Sequence, residues 1–123
     1  MPGVGTTPAA LANWLAARPQ LTATGVTKTT LAGLPAYTLD FALSPTAGEL
    51  CGVPCVNLLN GPGPDPSKVY QLGILGTWKV RAYLVAAPDG STVVVTIEDT
   101  DGTGFDQEAA AALPIVESLV FAR

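Results

Sequence analysis

The chain has 123 residues with six basic and ten acidic side chains, a net charge of −4, and no histidine. That length is one domain, 1–123, and a 48% hydrophobic content suffices for a packed core. No basic run exists to attract nucleic acid or an anionic membrane surface. No apolar run approaches 18 residues, so membrane insertion by this domain is not expected. Met1–Gly5 has neither a basic nor an apolar stretch, so no signal peptide is expected in the chain as written.

The first predicted element is a helix over Thr7–Arg18. Thr7 can cap it, and Pro8 suits its first position because the missing N–H costs nothing there. Leu11, Trp14 and Leu15 form its apolar stripe, and Pro19 ends it. A hairpin is expected next. A Thr-rich edge run, 22–31, precedes a four-residue connection at Ala32–Pro35 and a strand in which Tyr37, Leu39, Phe41 and Leu43 alternate with Thr38, Asp40 and Ala42.

Ser44–Asp65 reads as a long irregular loop, rich in proline and glycine. It contains both cysteines of the chain, Cys51 and Cys55. A disulfide between them is the favoured reading, since Gly-Val-Pro can bend the chain enough to bring their Cα atoms together. Two free thiols are the alternative. A zinc site lacks ligands in a chain without histidine, and the three-residue spacing is not that of a redox pair. A disulfide implies an oxidising compartment.

A strand over 68–75 is expected to turn Tyr70, Leu72 and Ile74 to the core. Gly73 and Gly76 lack the third glycine and the setting of a dinucleotide site, and no cofactor is expected. Trp78–Thr100 then reads as the central hairpin, turning at Asp89–Gly90. Its alternation assigns Trp78, Val80, Ala82, Leu84, Val93, Val95 and Ile97 to one face. Lys79, Arg81, Tyr83, Thr92, Thr96 and Glu98 go to the other, together with Asp40, and cross-strand pairs such as Asp40 with Arg81 are anticipated.

Five of the ten acidic residues lie between Glu98 and Glu108. Asp99, Asp101 and Glu108 match calcium-loop positions, but Ile97 stands where the first ligand belongs. The simpler reading is a strand-to-helix turn, with Asp101–Gly102 turning and Thr103 and Asp106 capping. A helix follows over Phe105–Glu117, its stripe Phe105, Ala109, Ala112, Leu113 and Val116. Pro114 should kink or narrow it, and 118–121 forms a short last strand.

The assembled expectation is an α+β fold. An antiparallel sheet of about five to six strands carries an N-terminal and a C-terminal helix on one face, with the other face polar and open. Three stretches carry a resemblance: Trp14–Pro19, Leu31–Asp40, and Phe105-Asp106 with Pro114–Phe121. Together they resemble envelope-associated domains of actinobacteria with the PsbP-like fold, including the LpqN-like lipoproteins. The resemblance implies an extracytoplasmic, non-catalytic domain that binds a partner protein or a small ligand, and it supplies no catalytic residues. Tyr70, Arg81, Tyr83 and Asp40 are the candidate contact residues, Tyr and Arg being favoured in binding surfaces. Two other readings stand beside it. One is a small enzyme whose cone-shaped pocket uses Asp40 as base. The other is a module stabilised by calcium at 99–108.

Overall fold

The computed structural model describes residues 6–44, 55–62, 67, 69–75, 78–99 and 103–118. Helix α1 (Pro8–Ala16) is followed by strands β1 (Leu21–Ala23), β2 (Thr27–Leu31), β3 (Leu34–Leu43), β4 (Cys55–Pro62), β5 (Val69–Leu75), β6 (Lys79–Ala86) and β7 (Thr92–Asp99), and by helix α2 (Phe105–Glu117). The main sheet has five strands in the order β1–β3–β6–β7, with β2 also on β3, and every pairing is antiparallel. The fold is α+β, with one helix before the sheet and one after it. β4 and β5 form a separate antiparallel pair with a register shift between Asn57 and Leu59. The expected long loop therefore contains a strand.

Both helices form where the sequence places them. The Thr7 hydroxyl accepts the Ala10 N–H at 3.2 Å, and Pro8 opens α1. Leu11, Ala12 and Leu15 are buried, and Arg18 stacks over the Trp14 ring at 4.7 Å. α2 runs through Pro114 to Glu117. Pro114 and Ala110, whose carbonyl loses its helical partner, are both exposed, which keeps that loss cheap. Thr103 does not provide the expected capping box. Gly104 is the cap, and its N–H donates to Asp99 Oδ2 at 3.0 Å.

The placement of the helices corrects the sequence reading. One core cluster joins Leu11, Ala12 and Leu15 of α1 to Leu39, Phe41, Val80, Ala82 and Leu84, with Trp78 and Val94 packed against it. The other joins Ala109 and Val116 of α2 to Leu31, Ala36, Tyr83, Val85 and Ile97, with Val93 and Val95 against it. Neighbouring residues of one strand point to opposite faces, so α1 and α2 cover opposite sides of the sheet.

The cause is one residue in a turn. A two-residue Asp89–Gly90 loop would set Leu84 opposite Val95. The observed loop is Pro88-Asp89-Gly90: Gly90 N–H bonds the Ala87 carbonyl, Gly90 has φ 88°, and Ala87 N–H bonds the Ser91 carbonyl. This is the three-residue hairpin loop with a left-handed glycine. It sets Leu84 opposite Val94 and Arg81 opposite Ile97. A slip of one residue transfers a whole strand to the other face. Val93, Val95 and Ile97 thereby join the Arg81 side, and Thr96 and Glu98 the Val80 side. Leu113 of α2 is 38% exposed instead of buried.

The β2–β3 connection is tighter than expected. Leu31 pairs with Leu34 across a two-residue turn, Ala32–Gly33, with φ of 51° and 77°. These are the angles of a type I′ hairpin, which glycine tolerates and alanine does not favour. The Ala32 N–H is held by Glu117 Oε2 at 3.2 Å, tying the hairpin tip to the end of α2. The expected Cys51–Cys55 disulfide, the Asp101–Gly102 turn and most of the last strand lie outside the described residues.

Candidate functional site

The edge strand predicted as continuous over 22–31 is broken. β1 pairs with Phe41–Leu43 and β2 with Leu34–Thr38, so Thr24–Val26 bulge away from the sheet. Thr24 bridges the gap. Its N–H donates to the Asp40 carbonyl at 2.8 Å, and its hydroxyl accepts the Asp40 N–H at 2.9 Å. A side chain thus satisfies the backbone group that the absent strand partner would have paired. Bulges of this kind occur at sheet edges and re-aim side chains.

Beside the break is an open cleft of about 240 Å³, lined by Thr24, Gly25, Thr27, Thr38, Leu39, Asp40, Arg81 and Tyr83. The register assembles its wall, placing Asp40 opposite Arg81 and Thr38 opposite Tyr83. Arg81 grips Asp40 with both ends of its fork, Nε to Oδ1 at 2.7 Å and Nη2 to Oδ2 at 2.9 Å. The guanidinium also stands 5.5 Å from the centre of the Phe105 ring, at the start of α2. Planar geometry and a ring face suit arginine and not lysine.

The two side chains are 28% and 29% exposed, so water screens the pair only in part. The Asp40 hydrogen bond holds the Arg81 pKa above its ordinary value against the opposing effect of burial, with a smaller contribution from Tyr83. Arg81 is charged at every accessible pH. Tyr83 is buried. The Thr38 hydroxyl is also buried and has no hydrogen-bond partner among the described residues. That is an open valence in the cleft wall.

Asp40, Arg81 and Tyr83 are therefore brought together, and the anticipated Asp40–Arg81 pair forms. Tyr70 lies in β5, opposite Gly61, in the other sheet, and its side chain is outside the described residues. The sequence reading missed Thr24, Gly25 and Thr27, whereas the alternation of β3 already put Thr38 on the face of Asp40. The available signal was Gly25, an interruption in a β-rich run.

Asp99 is 4% exposed and accepts the Gly104 N–H. Glu108 is exposed in the first turn of α2, where its charge and that of Asp106 meet the positive end of the helix. Asp101 lies outside the described residues. Among the described residues no group of three His, Cys, Asp or Glu is placed to hold a metal.

Comparison with protein-family models, with curated proteins and with solved structures finds no match to this chain.

Proposed function

We propose that this chain is a non-catalytic, extracytoplasmic accessory domain of a bacterial envelope protein, and that it binds its ligand or partner in the cleft beside the edge-strand break. The observation that carries the reading is the cleft itself. A bulge opens it, two central strands wall it with a paired Asp40 and Arg81, and Tyr83 and three threonines complete its lining. The envelope setting is supported by the resemblance of Trp14–Pro19, Leu31–Asp40, and Phe105-Asp106 with Pro114–Phe121 to PsbP-like and LpqN-like domains.

The alternative of an enzyme using Asp40 needs a carboxylate with a free hand. Here each oxygen already accepts a charge-assisted bond from Arg81, and among the described lining residues there is no cysteine, serine or histidine. Such a wall is suited to holding a molecule and not to moving a proton.

Fragment screening by two-dimensional amide NMR tests the contact surface. Hits from a chemically mixed fragment library should cluster on Thr24–Thr27, Thr38, Asp40, Arg81 and Tyr83. A map with no cluster there contradicts the reading. For the compartment, native protein without reductant should show no titratable thiol. Two reactive thiols would argue against an oxidising location.

A further inference from the structure

The chemistry of the cleft also limits what it accepts, an inference that rests on the contact surface proposed above. Arg81 is the one cation among the described lining residues, and its Nε and Nη2 are engaged by Asp40. A phosphate or carboxylate would meet a guanidinium whose charge Asp40 already offsets, so its own charge gains little there. A cation would meet an Asp40 charge offset by Arg81 in the same way. An apolar ligand would desolvate these polar groups and offer them nothing.

A neutral molecule with donors and acceptors around its rim meets none of these obstacles. It can use the spare lone pairs of Asp40, the remaining N–H groups of Arg81 and the lining hydroxyls, each of which both donates and accepts. The Thr38 hydroxyl has no hydrogen-bond partner among the described residues and can do both, whereas the Thr24 hydroxyl already gives its proton to the Asp40 carbonyl at 3.4 Å and accepts the Asp40 N–H at 2.9 Å, keeping one lone pair. The volume, about 240 Å³, is below that of drug-sized sites, about 300–1,000 Å³. It suits one ring. We infer that the cleft binds a single neutral, polyhydroxylated ring: one sugar residue, either free or at the end of a glycan.

The test is an amide and arginine-Nε NMR titration of the protein with glucose, mannose, galactose and N-acetylglucosamine, with their methyl glycosides, and separately with inorganic phosphate. At least one sugar should give saturable shifts at Thr24, Gly25, Thr27, Thr38 and Arg81, and phosphate should give none. Shifts with the methyl glycoside as well as the free sugar identify a glycan end; shifts with the free sugar alone identify that sugar.

Asp40→Asn removes the charge that occupies Arg81. Sugar affinity should fall about tenfold, the usual effect of weakening one bond to a charged group, and phosphate should now bind at the same residues. Gly25→Leu is the second variant. A Cβ at Gly25 meets no atom within 4 Å, so this chain should keep its fold and lose the sugar shifts. The inference is overturned if wild type takes up phosphate at these residues or if no sugar shifts them. Fragments that cluster in the cleft while sugars do not bind defeat the ligand class alone. Fragments that do not cluster defeat the contact surface itself.

Discussion

Asp40 and Arg81 face each other in register across β3 and β6, and the carboxylate receives both arms of the guanidinium at 2.7 and 2.9 Å. The pair lies on the α2 side of the sheet, with Phe105 against the guanidinium. It is half-buried, so its contribution falls between that of a screened surface pair and a buried one. A double-mutant cycle with Asp40→Asn and Arg81→Met, followed by urea unfolding, should give a coupling energy of about 1 kcal/mol. A coupling near zero would mean that solvent dissolves the pair.

The opposite-face placement of the helices predicts which side chains are costly to remove. Leu15 is fully buried in the α1 cluster, and Leu15→Ala should cost about 3 kcal/mol. Leu113 and Ile115 are 38% and 70% exposed, and Ile115→Ala should change stability by no more than about 0.5 kcal/mol. Val116→Ala, on the buried stripe of α2, should cost clearly more than Leu113→Ala. The reverse order in denaturant midpoints would contradict the observed rotation of α2, which buries Val116 and exposes Leu113.

That arrangement is also where the sequence was hardest to read. Thr7 with Pro8, the alternation around Phe41 and Val80, and the acidic start of α2 each declare an element locally. Asp40 and Arg81 fell on the same face because β3 and β6 each keep a plain alternation. The register of β7 depended on a single residue. Pro88 joins the turn as its first corner, and this moved Val93, Val95 and Ile97 to the side of Tyr83 and Val85. Both faces of β6 and β7 carry apolar residues, so composition alone did not expose the slip. β4 was hidden for another reason: the register shift between Asn57 and Leu59 breaks its alternation among glycines and prolines. The cleft follows from a bulge, which has no stronger mark in the sequence than Gly25.

Ala32 occupies a left-handed conformation with φ 51°. That conformation costs a residue with a Cβ about 1 kcal/mol relative to glycine. Ala32→Gly should raise the unfolding free energy by up to about 1 kcal/mol, the gain being reduced by the greater freedom of glycine in the unfolded chain. Ala32→Val should lower it. A melting temperature that falls in the glycine variant would contradict the type I′ turn.

The central hairpin loop carries a pH signature. The Asp89 carboxylate accepts the Ser91 hydroxyl and the Ser91 N–H at 2.6 and 2.9 Å, and these bonds, the hydroxyl first, lower its pKa. A folded pKa below the unfolded value stabilises the charged form in the native state. This contribution is fully present above the unfolded aspartate range and is lost as pH falls through the folded pKa. A carboxyl-carbon NMR titration should therefore place Asp89 below the ordinary aspartate value of about 3.9, and Ser91→Ala should move it back up. Titration at or above the ordinary value would show that the turn bonds do not persist in solution.

The central claim is that the cleft at the edge-strand break is the contact surface. The most direct measurement is the fragment-binding NMR map, recorded side by side on wild type and Gly25→Leu. Hits should cluster on Thr24–Thr27, Thr38, Asp40, Arg81 and Tyr83 in wild type and vanish in the variant, with the melting temperature unchanged. Hits that lie elsewhere, or that survive the filled cleft, would contradict it.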